Sequence, residues 1–290
     1  MRIALTGADG FIGSHLVRAL LARDHEPVAI VRASSDAGGL LEVRIEPVRV
    51  DLADVAGLAK ALHGCEAVVH LAGGGFATDR ETWEANAGST RCVIDACRHS
   101  GVDRLLLAST VTVTRSRVGA YGASKREAER LVLASGLEAT VFRFAFVYGP
   151  GRTGVFARLV EIAGRLPVVP VVGTGTLDIA PVFVEDVVTA VVAALERPEL
   201  ASGKVYTLAG PPATLDEVVD GVLRHLGLRR RKLHLPAPVA LALARLPRSP
   251  ITRDNVLGMI QEADHDSSLA RHDLGFSPRP LEAGLDAGFS

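Results

Sequence analysis

Short apolar runs alternate with longer amphipathic stretches over the first two thirds of the chain. Residues 3–5, 28–31, 48–50, 67–71, 104–108 and 140–144 are mostly apolar, and bounded by Gly, Asp or Pro. That is the pattern of strands buried on both faces of a parallel sheet. Between them, residues 12–23, 55–62, 82–100 and 120–135 carry apolar residues at helical spacing. Strand and helix repeated at this pitch predict an α/β fold, a doubly wound parallel sheet with right-handed crossovers. The second half differs in texture. Prolines crowd it, the regular alternation stops, and helical patterns persist at 185–196, 215–226 and 238–246. This predicts a main domain over 1–165, with 182–210 returning to it, and a smaller substrate lobe from 166–181 and 211–290. The charge run Arg229-Arg230-Arg231-Lys232 reads as a solvated turn before 233–235.

Composition narrows the class. The chain has 290 residues, 48 % hydrophobic and 22 % charged, with a net charge of −1. Near-neutrality excludes a nucleic-acid binder of the electrostatic kind, and the apolar content excludes a disordered chain. The longest apolar stretches, 187–195 and 239–244, fall well short of the roughly twenty residues of a membrane span. The N-terminal Met1-Arg2-Ile3-Ala4-Leu5-Thr6-Gly7 is too short for a leader, so a cytoplasmic protein is expected. Cys65, Cys92 and Cys97 are scattered and lack partners at zinc spacing; they read as small core residues in a reducing compartment, with no metal site.

The first strand runs into Thr6-Gly7-Ala8-Asp9-Gly10-Phe11-Ile12-Gly13, followed at once by a helix. A dinucleotide pyrophosphate needs backbone N–H groups at a helix N-terminus with no Cβ in the way. Gly7 supplies the turn, Gly10 the close approach and Gly13 the helix–strand packing; an ordinary turn has no need of three glycines in phase. A carboxylate after the second strand would accept from the ribose 2′-OH of NAD. This chain instead has Arg32-Ala33-Ser34-Ser35, a planar cation beside hydroxyls that suits a 2′-phosphate and favours NADP, with NAD possible. An Arg merely ending a strand is the plainer alternative. Asp51-Leu52 closes the third strand, where the carboxylate would take the adenine amino group or else cap the following helix.

Tyr121-Gly122-Ala123-Ser124-Lys125 places a phenol and an ammonium four apart on one helical face. A free phenol titrates near pH ~10; the ammonium, with the positive charge of an oxidised nicotinamide, is expected to lower that value. Ser109-Thr110, eleven residues upstream at the end of the fifth strand, offers a hydroxyl to hold a substrate oxygen against the tyrosine.

These residues resemble the extended short-chain dehydrogenase/reductase superfamily, which contains NAD(P)-dependent epimerases, dehydratases and related reductases. The resemblance covers nearly the whole chain: the Thr6 to Gly13 loop, His70-Leu71-Ala72-Gly73, Asn86-Ala87-Gly88-Ser89-Thr90, the Tyr121/Lys125 pair, Arg143 to Gly151, Val184-Glu185-Asp186-Val187, and 266–278 near the C-terminus. It implies a Rossmann-type domain with a C-terminal substrate lobe, Tyr121 as general acid/base, Lys125 as pKa modulator and ribose anchor, and Thr110, or Ser109 in its place, as the substrate-orienting hydroxyl. It also implies Asn86 at a helix start beside the site, Leu71, Ala72 and Gly73 against the cofactor, and Phe144 and Phe146 flanking it. His70 reads as a packed core residue. Helices at 82–100 and 120–135 resemble those that pair across a homodimer.

Departures from the family pattern narrow the chemistry. Thr110 is followed by Val111-Thr112-Val113 where dehydratases carry Asp-Glu, which argues against sugar 4,6-dehydration. Phe146 stands where nucleotide-sugar members carry Asn, and Ile179 aligns with an Arg; apolar groups in place of polar anchors argue against a nucleotide-diphosphate sugar. Arg152, Arg158 and Arg165 are candidate replacements, or else surface charges. Phe76, Trp83, Phe144, Phe146, Phe156 and Phe183 are candidates for an apolar pocket. The expected function is therefore hydride transfer between a nicotinamide and a carbonyl or carbinol carbon of a small or apolar substrate. The alternatives are a sugar epimerase and a non-catalytic NADP(H)-binding sensor, against which the Tyr121/Lys125 pair speaks.

Overall fold

The computed structural model describes residues 1–75, 78–151, 155–246 and 252–289. The strands are β1 Arg2–Thr6, β2 Glu26–Val31, β3 Val48–Arg49, β4 Ala67–His70, β5 Arg104–Thr110, β6 Glu138–Phe144, β7 Val147–Tyr148, β8 Val168–Val172, β9 Val182–Phe183, β10 Val205–Leu208 and β11 Arg231–Leu235. The helices around the first six strands are α1 Phe11–Leu21, α2 Gly38–Glu42, α3 Val55–Leu62, α4 Asp79–Trp83, α5 Ser89–Ser100 and α6 Ala120–Leu133. Later come α7 Val155–Arg165, α8 Val184–Glu196, α9 Pro198–Ala201, α10 Leu215–His225, α11 Ala237–Leu243, α12 Arg253–Ile260, α13 Ser268–Leu274 and α14 Leu281–Phe289.

Seven parallel strands form the central sheet in the order β10-β6-β5-β4-β1-β2-β3. The order reverses between β1 and β4, and a crevice opens at the carboxyl ends of strands at such a switch point. The strands lack polar alternation because helices cover both faces. α1 and α8 pack on one face through Leu16, Val17, Leu20, Val187 and Val191. α3, α5 and α6 pack on the other through Leu58, Val93, Cys97, Ala128 and Val132. All three cysteines are free. No helix among the described residues is long and apolar enough to cross a membrane.

A second hydrophobic cluster joins Tyr148, Phe156, Val169, Val171, Ile179, Phe183, Val218, Val222 and Leu285, around the small sheets β11-β8 and β7-β9. Packing moves two pieces across the expected 1–165 and 211–290 division. α7 buries Phe156 and Ala163 in the second cluster, whereas α13 and its following turn send Ala270, Leu274 and Phe276 into the main core. The basic run is likewise not a simple turn. Arg231 and Lys232 lie in β11, paired with Val168 and Val169, and Lys232 is held by Asp220 at 2.8 Å and Asp216 at 3.3 Å.

The helix expected over 82–100 is interrupted. After α4, Glu84–Gly88 form a π-helical turn before α5. Asn86 explains it, since its amide nitrogen donates to the Thr82 carbonyl at 2.8 Å and so competes with the backbone ladder. π-turns of this kind recur at functional sites.

Candidate active site

The glycine loop closes the crevice from below. Gly7 turns at φ +70°, and a Cβ there would sit 2.9 Å from the Ala72 nitrogen. Gly10 precedes α1 without a capping side chain, so the first-turn N–H groups beside Phe11, Ile12 and Gly13 await another acceptor. A Cβ on Gly13 would overlap the Gly7 carbonyl. The open helix end and the glycine cradle fit a pyrophosphate.

The outer corner, at the ends of β2 and β3, has a feature that sequence spacing did not reveal. Arg49 donates from Nη1 to the carbonyls of Arg32, Ala33 and Ser35, at 3.3, 3.0 and 3.0 Å, and folds that loop around its own charge. Arg32 and Ser34 are exposed there, and Ser35 donates to the Asp9 carboxylate. Asp51 is not the helix cap that the alternative reading supposed. Its carboxylate accepts from the Ala53 N–H at 2.9 Å, and Asp54 caps α3. Leu52 packs against the main core.

Behind the cleft, His70 is fully buried, bonded to Thr6 Oγ1 at 2.7 Å and facing Ser89 Oγ at 3.4 Å. Burial, reinforced by Lys125, takes its imidazole down to about 3, so it is a neutral core residue, as the sequence reading has it. Asn86 does not start a helix. It is buried in the π-turn, donating to Gly74 O at 2.8 Å and Ser124 Oγ at 3.1 Å and accepting from the Gly74 N–H at 3.1 Å. It thereby clamps the β4 loop to α6. Gly73, at φ +138°, lies so close that a Cβ would strike Asn86 Oδ1 and come within 3.0 Å of Lys125 Nζ.

The cleft itself, about 250 Å³, is lined by Gly7, Gly10, Phe11, Ile12, Gly13, Leu71, Gly73, Ala108, Ser109, Tyr121, Lys125 and Phe144. Tyr121 and Lys125 stand one turn apart on α6. Lys125 donates to the Ala108 carbonyl at 3.0 Å, and burial brings its ammonium down to about 8 against the pull of Glu129. The expected lowering of the phenol does not occur in the free protein. Burial, with the Asp254 carboxylate second, pushes Tyr121 up to about 12.

Of the two adjacent hydroxyls, Ser109 donates to Glu129 Oε1 at 2.5 Å and is buried. Glu129 also takes a two-pronged bond from Arg143, 2.7 Å at its shortest. Thr110 is the freer group, donating to Thr112 Oγ1 at 3.1 Å and accepting from its N–H at 3.2 Å. Glu129 escaped the sequence reading, although it continues the 121, 125 face by one more helical turn. Phe146 lies away from the cleft lining, packed against the second cluster with Ile179, Phe156 and Phe183. Trp83 is 43 % exposed, Arg165 pairs with Glu161, and Phe76 and Arg152 fall outside the described residues.

Comparison with known proteins bears on the family and the fold. Residues 3–209 match the family model described as NAD dependent epimerase/dehydratase family. Among curated proteins, a ceramide reductase of Caulobacter vibrioides is 31 % identical over 245 residues, covering 84 % of this chain and 76 % of its own. A 2-alkyl-3-oxoalkanoate reductase of Stenotrophomonas maltophilia is 29 % identical over 326 residues, covering 98 % and 97 %. Among solved structures, the UDP-glucuronic acid 4-epimerase of Bacillus cereus, in complex with UDP-glucuronic acid and NAD, superposes with a TM-score of 0.82. It is 25 % identical and covers 99 % of this chain and 98 % of its own.

Proposed function

Since the chain belongs to the NAD dependent epimerase/dehydratase family, an enzyme family of NAD(P)-dependent hydride transfer, we propose that it reduces the carbonyl of an apolar substrate. The observation that carries this reading is Tyr121. Its phenol lines the cleft and, raised to about 12, keeps its proton at neutral pH. A group in that state suits donation to an oxygen that gains negative charge during reduction.

Gly7, Gly10, Phe11, Ile12 and Gly13 would hold the pyrophosphate, with Asp9, Leu71, Ala72, Gly73 and Phe144 alongside. Arg32 and Ser34 would meet a 2′-phosphate, Asp51 and Leu52 the adenine, and Lys125 the ribose. A nicotinamide bound there supplies the hydride. Tyr121 gives its proton to the substrate oxygen. Thr110 turns its hydroxyl from Thr112 to that same oxygen, and Lys125, anchored on Ala108, holds a positive charge in the same cleft. Two of the relatives are reductases by name, one a ceramide reductase and the other a 2-alkyl-3-oxoalkanoate reductase. Phe146 and Ile179, packed as core, leave no polar anchor at those positions for a nucleotide-sugar. The likeness to an epimerase structure favours a second reading, transient oxidation of one bound sugar. Denaturing the purified protein and identifying released nucleotide separates the two. An empty protein supports the reductase; stoichiometric NAD(H) supports the epimerase, which must not lose its cofactor in mid-cycle.

The cofactor is proposed to be NADP(H), on the strength of Arg32 and of the corner that Arg49 organises. Arg32→Ala is expected to weaken NADPH binding about tenfold or more, one lost charge-assisted hydrogen bond, with NADH affinity little changed. Equal losses for both nucleotides in a fluorescence titration would remove Arg32 from the 2′ site. A homodimer in the cytoplasm is also proposed, through α5 and α6, where Leu133 is 45 % exposed. Light scattering should give twice the 30.5 kDa chain mass; a monomer at micromolar concentration would refute it.

A further inference from the structure

The catalytic helix lacks a cap of its own. α6 begins after Gly119, which offers no side chain, yet the Tyr121 N–H donates to Asp254 Oδ2 at 3.2 Å. A Cβ on Gly119 would run into that same carboxylate. Asp254, in the first turn of α12, therefore stands where an N-cap side chain would stand and delivers its charge to the positive end of α6.

A second, independent tie runs from α12 to the other candidate hydroxyl. Arg115 donates from Nη2 to the Gly258 carbonyl at 2.9 Å and from Nη1 to Thr112 Oγ1 at 3.2 Å. Thr112 in turn receives the Thr110 hydroxyl at 3.1 Å. Among the described residues the buried Arg115 Nε has no hydrogen-bond partner, a cost that a mere surface strut would not carry. α12 itself is seated away from the central sheet, through Val256 against Val172 of β8 and Ala240 of α11.

We propose that Asp254 and Arg115 are positioning residues, through which α12 sets Tyr121 and Thr110 relative to one another. Neither acts on the reacting atoms; each acts through the residue it holds. The inference rests on the reading of Tyr121 as proton donor. It makes the two hydroxyls depend on the elements that Val256 joins, β8 and α11, so that a shift of α12 reaches both at once. The ionisable groups linked to this corner are Lys125, which shares the cleft with Tyr121; Glu129 and neutral His70, which interact with Lys125; Asp254, which acts on both Tyr121 and Arg115; and His265, which feels Arg115. Asp254 is the negative charge felt directly by the phenol.

The test is the phenolate absorbance of Tyr121, titrated as the difference between each protein and its Tyr121→Phe counterpart. Asp254→Asn keeps an oxygen for the Tyr121 N–H but removes the charge, so Tyr121 should ionise at lower pH than in the unaltered protein, with the unfolding midpoint little changed. Asp254→Glu should restore the higher value. Gly119→Ala, whose methyl displaces the carboxylate, should act like Asp254→Asn on the titration and lower kcat about tenfold with KM little altered; it serves if the Asp254 variants do not fold. Arg115→Met should lower kcat by a similar factor while leaving the Tyr121 titration in place. An unmoved Tyr121 titration in Asp254→Asn and Gly119→Ala overturns the proposal, even if both lose thermal stability, because that pattern is a structural cap alone. If instead Tyr121→Phe keeps full turnover, the underlying reading fails and the titration result still stands by itself.

Discussion

Tyr121→Phe is expected to lower kcat about a thousandfold while leaving nucleotide affinity nearly unchanged. Positioned proton transfer contributes on the order of 10²- to 10⁴-fold, and the variant removes one oxygen from a ring whose surroundings are otherwise kept. Among the described residues, no hydrogen bond links that oxygen to the glycine loop, the β4 loop or the Arg32 corner, so binding should survive. The pH dependence carries a sign. Tyr121 is protonated through neutral pH, and Lys125 loses its proton first, with its midpoint at about 8. Reduction should therefore be level below about pH 7, fall to half near pH 8 and decline further on the alkaline side as the Lys125 ammonium in the cleft is lost. A Phe variant within tenfold of the parent, in steady-state assays at neutral pH, would remove Tyr121 from the chemistry.

Arg143→Met should cost about 3 kcal/mol of folding stability, the lower end of what breaking a buried pair costs. Glu129 is 6 % exposed and is held by Ser109 and a two-pronged Arg143 contact. Removing the arginine leaves a carboxylate under the sheet with one neutral hydroxyl as its direct partner. Arg143 is about a quarter exposed, so the reverse variant, Glu129→Gln, should cost less, since the guanidinium reaches solvent. Urea unfolding with an unchanged m-value measures both. A loss below about 1 kcal/mol for Arg143→Met would show that the pair is screened as a surface bridge is.

The two variants probe opposite ends of legibility. Tyr121, Lys125 and the three glycines stand out because the chemistry proposed for them demands fixed residue types at fixed spacing. Runs such as 67–71 and 104–108 announce strands because burial on both faces leaves few polar positions, His70 and Arg104 alone among these ten. Glu129 and Arg143 carry no such signal. Their pairing depends on β6 lying beside β5 and α6 crossing both, which only the assembled sheet supplies. β8, β11 and β10 carry a weaker strand signal, because β8 holds Pro170 at its centre, β11 is largely polar through Arg231, Lys232 and His234, and β10 is only four residues long. The phenol was misread for a related reason: its neighbours in sequence predict a lowered value, whereas Asp254, 133 positions away, and burial in the cleft raise it. Asn86 shows the same limit in miniature, since its motif marks the place but not that its amide would unwind a turn of helix.

The most direct test of hydride transfer is a label. The protein would be incubated with NADPH deuterated at nicotinamide C4 and a panel of apolar ketones, and the products examined by mass spectrometry. Deuterium at the carbinol carbon, with one equivalent of NADP formed per alcohol, is the predicted result. Ketones returned unlabelled, with nucleotide neither oxidised nor exchanged, would contradict the account.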